Sequence, residues 1–449
     1  MSATLLTKSP KVERLIIADR SLEAAKALAD RLPASLGVAD RIDASKVDAM
    51  ADAFKGNDVV LNLVLPRFNL RIMDACLKAG VHYMDAATDL ALAKEKPGEP
   101  VAAPPEALQL AYDEAFRNAD LIGLLGMGQD PGITNVLARV GADRLDEVQE
   151  IEVRDGDNGT IEGYPFASLW SADTLIEEVL MPALAFRDGA FVRLGSLQGE
   201  EVFEFPPPVG PLTVYNVDHE ETNTLPLTIG KGLQSMDFKI AIPKDLAHAL
   251  LVFQQFGLHR GHPIEVEVKS TGEKVKVAPR DVLAALMPDP KTLSGKAKGS
   301  ACIAVTVRGL KDGAKASWIF WQSLDHQDCY RRYGFNATSY PVGAPMAMAT
   351  EMIGRGEIER RGVFPPEVAV GRCLLVDGAA QVKVADDGCR SQVEVFLYKF
   401  VDKLGVHLGR AEGLYGDRQG MGDADDIGYL YLQPVGKSRR DHVLGDVAR

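Results

Sequence analysis

Cysteine is scarce in this chain, five in 449 residues, and Cys76, Cys302, Cys329, Cys373 and Cys389 never fall into a CxxC pair. That scatter argues against a disulfide framework or a zinc site and leaves reduced thiols as the plain reading. Long hydrophobic runs are also missing. Stretches such as Ala301 to Val307 fall far short of the roughly 20 residues a membrane helix needs, and Met1 is not followed by a basic segment and a long apolar core. No membrane is expected as a partner, and a cytoplasmic protein is the default. No lysine or arginine cluster offsets a formal net charge of -13, so nucleic acid, which is gripped through its phosphates by basic surface, is set aside. Repeats and low-complexity tracts are absent. One further absence concerns glycine. In a dinucleotide-binding fold, an acid that ends the second strand comes about 20 residues after a glycine-rich phosphate turn. Here the acid is Asp19, and only MSATLLTKSP stands before Lys11.

What is present reads as two domains of different texture. LIIAD, GVADRIDAS, DVVLNLVL, HYMDAAT and DLIGLLGMG are buried strands, separated by helical patterns in SLEAAKALADRL, KVDAMADAF, NLRIMDACLKAG, a stretch over 105–118 and QDPGITNVLARVGADRL. Continuously apolar strands alternating with helices predict an α/β, doubly wound parallel sheet covered on both faces. This unit spans residues 1–146. From Glu147 the strands alternate in polarity and follow one another directly: VQEIEVRDG, FVRLG, EVFEFPPP, LTVYNVDH, PIEVEVKS, ACIAVTVRG and KASWIFWQS, interrupted by helices over 166–184 and 244–256. Residues 147–335 therefore read as an α+β substrate or dimerisation domain with a mixed sheet, and a homodimer or higher homo-oligomer is expected. A helix over 342–362 completes the first domain, and 370–449 form a partly irregular extension with a short strand in IGYLYLQP.

Taken together, ADRS with its helix, DVVLNLVLP followed by DACLKAGVHYMDAATD, GMGQDPGITNVLA, VDHEETNTLP and GAPMAMATEMIGRGEIERRGVFPPE resemble the saccharopine dehydrogenase family, in the family's order and over most of the chain. The family includes glutamate-forming saccharopine reductases, lysine 6-dehydrogenase and carboxynorspermidine dehydrogenase. The resemblance implies a Rossmann domain with an inserted mixed-sheet domain, and a nicotinamide-dependent oxidoreductase acting at a carbon-nitrogen bond of an amino acid or secondary amine. It also turns the missing glycine turn into a departure, because the family opens with a strand and a GxGxxG-type turn. SATLLTKSPKVERLIIAD fits instead the end of a first helix, a turn and the second strand. The expectation is a chain lacking the first strand and glycine loop, through a late start or a real loss. Such a chain would be unstable or cofactor-free, and a non-catalytic relative that acts by binding is the competing class.

The candidate site residues follow. Asp19, at a strand end, suits the ribose hydroxyls of NAD, and its charge opposes the extra phosphate of NADP; Arg20 and Ser21 blunt that preference, because an arginine just after the strand can stack on adenine or pair with a 2'-phosphate. As a plain structural residue, Asp19 would cap the following helix. NAD or NADP is thus the expected cofactor, with Asp19 favouring NAD. Asp43 ends the next strand near the adenine or fills a turn. Asn62 and Pro66 end the fourth strand of the full fold at the nicotinamide and pyrophosphate edge, and Asn62 in an apolar strand needs a polar partner. In GMGQDPG, Gly126 and Gly128 turn the chain, with Gly128 at the cofactor. Asp130 and Pro131 occupy N-cap and first-turn positions of a helix, and by the resemblance the Asp130 loop borders the substrate. Asp85 and Asp89 end another strand on the same edge. In VDHEETNTLP, His219 suits proton transfer near neutral pH, or else lies in an exposed turn or is a satisfied structural histidine, while Glu220 or Glu221 would hold an ammonium. Tyr164 and Ser171 are further substrate candidates. His259 and His262 have no third ligand in view, so no metal is expected.

Overall fold

The computed structural model describes residues 1–88, 107–164 and 168–369, with two short strands at 406–410 and 429–430. The parallel region begins with β1 (Leu15–Asp19) beside β2 (Gly37–Arg41), in register from Leu15 with Gly37 to Asp19 with Arg41. Between them lies the Leu22–Ala29 helix. Ser21 caps it, its Oγ accepting the Ala24 N–H at 3.2 Å, while Asp19 Oδ1 accepts the Ser21 N–H at 2.7 Å. The cap is thus Ser21, two residues past the predicted one, because Ser21 is the extended residue immediately before the first helical one, while the Asp19 carboxylate is taken by the Ser21 N–H.

A second parallel sheet follows, with β3 (Val59–Asn62), β4 (His82–Asp85) and β5 (Ile122–Leu124) side by side. Its fourth strand, Gly362–Phe364, comes from the far end of the described chain and lies parallel to β5. Among the described residues the two parallel sheets share no strand pairing. Ser2–Leu6 is helical, as its sequence suggests, and packs against the long Ser339–Gly354 helix. The segment expected to be helical over 342–362 therefore ends at Gly354 and continues into a strand. Gly-Val-Phe is too short to announce itself by period. Similarly, the helix expected over 105–118 is two short ones, Ala107–Leu110 and Asp113–Asn118.

The second region is a ten-stranded mixed sheet. Its strands are β6 (Glu147–Asp157), β7 (Leu184–Arg187), β8 (Ala190–Arg193), β9 (Glu201–Phe205), β10 (Gly210–Asn216), β11 (Ser235–Ala241), β14 (Ser300–Lys311), β15 (Ala314–Asp325), β17 (Val406–Arg410) and β18 (Tyr429–Leu430); β12 (Ile264–Glu267) and β13 (Lys274–Val277) form a separate hairpin, and β16 is Gly362–Phe364. The helix expected over 166–184 covers only Ala172–Leu180, since Leu184 begins β7. Most of the C-terminal extension lies outside the described residues, apart from β17 and β18.

The Ile133–Asp143 helix joins the two regions. Val136, Leu137 and Val140 share one core with Ile151 and Val153 of β6 and with Val305, Val307 and Phe320. Gly141 faces β14 so closely that a Cβ there would stand 2.7 Å from Val307 Cγ2. Beyond this seam, a buried ion network crosses the sheet. Arg154, 1% exposed, meets Asp237 at 2.7 Å, Glu152 at 3.1 Å and Glu201 at 3.2 Å.

Candidate active site

At the carboxyl ends of β4 and β5, polar side chains are held inside the protein rather than offered to solvent. Asp85 accepts hydrogen bonds from the Tyr83 hydroxyl at 2.7 Å, Gln109 Nε2 at 2.9 Å and the Gly126 N–H at 2.6 Å. Burial pushes its carboxyl up to about 6 against the pull of those three donors. Asn62 finds the partner an apolar strand demands: its Nδ2 donates to the Tyr83 hydroxyl at 2.9 Å and to Asn69 Oδ1 at 2.7 Å. Pro66 opens a 3-10 turn beside this network.

The GMGQDPG loop then departs from its expected form. The helix starts at Ile133 with Gly132 as its cap, and the Asn135 side chain accepts the Gly132 N–H at 2.9 Å. Asp130 is therefore not the cap. The loop folds so tightly that a Cβ on Gly132, at φ 136°, would lie 2.1 Å from the Gly128 carbonyl oxygen. Gly128 gives its own N–H to the Pro131 carbonyl at 2.8 Å, so that amide is committed to the turn.

Across the loop, VDHEETNTLP forms a second unexpected element. β10 ends at Asn216, and Glu221–Thr228 is a helix despite Pro226. His219, Glu220 and Glu221 are buried at 6%, 5% and 0% exposure, so the exposed turn that their polarity suggests does not form. They dock on the first region: Thr134 Oγ1 donates to Glu221 Oε1 at 2.5 Å, and the Thr88 N–H donates to Glu220 Oε1 at 3.0 Å. His219 Nδ1 contacts Glu221, and Nε2 lies 3.1 Å from Glu178 of the Ala172–Leu180 helix.

Asp130 and Asp155 of β6 complete a cluster of five carboxylates that all interact electrostatically with one imidazole. Burial and then Asp155 hold Asp130 well above the usual carboxylate range, with His219 pulling the other way. Asp155 is pushed up to about 7 by burial and then by Asp157. Burial likewise pushes Glu220 up to about 7, opposed by His219 and the Thr88 N–H. For His219, burial favours the neutral ring, but Glu221 and Glu178 outweigh it and raise the ring well above its ordinary value. Next to the pocket, Asp218 meets Arg193 at 2.6 Å with neither side chain exposed.

The fold thus brings together Asp130, His219, Glu220 and Glu221, and adds Asp155, Glu178 and Thr134, which the sequence reading passed over. Asp85 belongs to the adjoining network. Ser171 is exposed and caps a helix, accepting the Thr174 N–H at 3.3 Å, and Tyr164 is exposed with Lys296 5.9 Å over its ring. Asp89 lies outside the described residues. His219, Glu220 and Glu221 have ligand atoms within 4.8 Å of one another. Each ring nitrogen of His219 is engaged by a carboxylate, Glu221 at Nδ1 and Glu178 at Nε2.

Asp19, Arg20, Ser21 and Asp43 cluster elsewhere, at the carboxyl ends of β1 and β2. Asp43 Oδ1 accepts the Ser45 N–H at 2.9 Å, forming a turn, and Arg41 Nε donates to the Arg20 carbonyl at 3.2 Å. Asp19 and Asp43, both exposed, with Arg20, Arg41 and Ser21 beside them, are of the residue types that suit the adenosine end of a dinucleotide, through a ribose hydroxyl or a 2'-phosphate. The described residues offer no glycine-rich turn for the pyrophosphate.

Parallel sheets joined through one helix to a large mixed sheet, with a cluster of polar side chains at the seam, define a Rossmann-type dehydrogenase fold. The chain belongs to the saccharopine dehydrogenase family. The profile of the saccharopine dehydrogenase NADP binding domain matches residues 2–121, and that of the saccharopine dehydrogenase C-terminal domain matches residues 128–375. It is a family of NAD(P)-binding oxidoreductases. The chain is 28% identical over 361 residues to carboxyaminopropylagmatine dehydrogenase of Synechocystis sp., covering 79% of this chain and 85% of the relative. It is 30% identical over 331 residues to carboxynorspermidine synthase of Vibrio alginolyticus, covering 73% and 77%. Among solved structures, the glutamate-forming saccharopine dehydrogenase of Saccharomyces cerevisiae superposes with a TM-score of 0.60 at 15% identity, over 91% of this chain and 96% of that one, which is a likeness of fold. Among the described residues, no helix is long and apolar enough to cross a membrane.

Proposed function

We propose that the protein is an NAD(P)-dependent oxidoreductase that interconverts a secondary amine and its imine on a carboxylated substrate carrying further cationic groups. The observation that carries this reading is the pocket of Asp130, Asp155, Glu178, Glu220 and Glu221 around His219. Carboxylates this close together, two of them buried and three half-buried, repel one another, and an ammonium or guanidinium lodged among them offsets that repulsion. Saccharopine, with three carboxylates, would bring more of the same charge. The names of the two relatives, carboxyaminopropylagmatine dehydrogenase and carboxynorspermidine synthase, support the same substrate class.

A bound nicotinamide supplies or accepts the hydride. The chain has to orient the substrate and move a proton at its nitrogen. Glu220 and Asp155, both pushed up to about 7, exchange protons near neutrality and are suited to that transfer. Asp19, Arg20, Ser21 and Arg41 would hold the adenosine end.

The test is to follow nicotinamide reduction by the purified protein with carboxyaminopropylagmatine, carboxynorspermidine, saccharopine and lysine, each with NAD and NADP. Turnover of one or both carboxylated polyamine substrates, with little or none of saccharopine, is expected. Turnover of saccharopine alone, or of no substrate in the set, would overturn the reading.

A further inference from the structure

His219 lies between β10 and the Glu221–Thr228 helix, with its ring stacked on Phe238 of β11. The centroids are 3.7 Å apart and the planes within 4° of parallel. A carboxylate faces each ring nitrogen: Glu221 at Nδ1, from the following helix, and Glu178 Oε1 at Nε2, 3.1 Å away on the Ala172–Leu180 helix. A neutral imidazole carries one N–H and can donate to only one of two ionised carboxylates, whereas an imidazolium donates to both. Glu221 is itself fixed from behind, its other oxygen accepting the Thr134 hydroxyl at 2.5 Å.

We propose that Glu178 is a positioning residue: with Glu221 it grips both ring nitrogens of His219 and fixes the ring as an imidazolium, a stationary positive charge in the pocket rather than a proton carrier. Phe238 contributes from the face, since an aromatic ring attracts a cation laid over it. The charged and titratable groups around the ring come from every packed element. They are Glu178, Glu220 and Glu221, Asp130 from the loop after β5, Asp155 from β6, and Asp218, which Arg193 already neutralises. The fixed cation is what makes such a collection of acids tolerable. It lowers Asp130, Asp155 and Glu220 together, and so leaves proton exchange near neutrality to the carboxyls.

The inference concerns the same pocket as the proposed reaction and rests on that reading for its catalytic meaning. Its test needs no substrate, so the two can fail separately. The full chain, labelled with nitrogen-15 histidine, is followed by two-dimensional NMR of the ring nitrogens from pH 6 to 9. Glu178→Gln and Glu178→Asp are measured alongside, and His219→Gln identifies the signal among the eight histidines. In the unaltered chain, His219 is expected to keep both nitrogens protonated across the range. In Glu178→Gln its midpoint should fall by about one pH unit or more, to within the range, each unit being about 1.36 kcal/mol of lost interaction. Glu178→Asp should keep the ring charged. A neutral His219 at pH 7 in the unaltered chain overturns the proposal whether or not the variants fold. So does a folded Glu178→Gln variant whose ring stays protonated to pH 9.

Discussion

Replacing Asp85 with asparagine separates the cost of a buried charge from the value of the hydrogen bonds it accepts. In the folded chain the Asp85 carboxyl is pushed up to about 6, against an ordinary value of 3.8. The native state therefore binds the proton more tightly than the unfolded chain. The sign follows: Asp85 costs nothing at pH values below the unfolded value, lowers stability progressively as pH rises from about 4 to about 6, and costs a constant amount above that. A shift of about two units corresponds to roughly 3 kcal/mol in full, of which roughly 2 kcal/mol falls between pH 4 and pH 7. Asparagine does not titrate. Its oxygen can still accept the Gly126 N–H, but its amide NH2 would face the Gln109 NH2, donor against donor, at a cost of about 1–3 kcal/mol. The variant should therefore be less stable than the unaltered chain at pH 4 and close to level with it at pH 7. Urea unfolding at pH 4, 5, 6 and 7, followed by circular dichroism, gives the difference at each pH. Other titrating groups act alike on both chains and cancel. Two stability curves that run parallel from pH 4 to pH 7 would refute the buried-charge account of this network.

Two further outcomes follow from buried polar groups with several partners. Arg154→Met should cost about 3–5 kcal/mol in urea unfolding, because it takes the shared cation from Asp237, Glu152 and Glu201; a loss under about 1 kcal/mol would show that Arg187, Arg308 and Lys239 suffice to balance them. Asn135→Ala removes the acceptor of the Gly132 N–H and the donor to Thr224 and Glu367, at 3.1 and 3.0 Å. It should cost at least about 2 kcal/mol by the same measurement, and an unchanged midpoint would mean that the loop does not need this clasp.

The parallel strands were legible because a strand buried on both faces must be continuously apolar, and LIIAD, DVVLNLVL and DLIGLLGMG have no other stable use. The mixed sheet was legible from its alternation. Elements were missed where local pattern and tertiary context disagree. Pro226 argues against a helix, yet it sits in the second turn of Glu221–Thr228, a helix held by Thr134 and Glu367 from other elements. Leu184–Arg187 continues the apolar run of the helix before it and becomes a strand only because β8 and β11 are there to pair with it. Asp130 looked like a cap since aspartate before proline usually is one. The turn that shifts the helix start to Ile133 depends on the close approach of Gly132 to Gly128, and nothing in residue spacing encodes that contact.

The pocket was only half legible, for an electrostatic reason. A histidine beside two glutamates in VDHEETN reads as solvated surface, because burying one acid is costly and burying several without counter-charge is prohibitive. The fold meets that cost through partners distant in sequence. Glu178 lies 41 positions before His219, in ADTLIEEVL, where a pair of glutamates on an amphipathic helix is ordinarily the wet face. Asp155 lies in a strand whose neighbours Glu150, Glu152 and Arg154 are engaged in ion pairs on their own account. No single stretch shows a surplus of buried acid; it exists only once the Asp130 loop, β6 and two helices converge. The polar residues that mark chemistry in this fold are therefore those whose charge is left unbalanced by convergence. By that measure Glu178 and Asp155 stand beside His219 and Asp130, whereas Asp237 and Glu201, just as buried but matched by Arg154, Arg187 and Lys239, hold the sheet together.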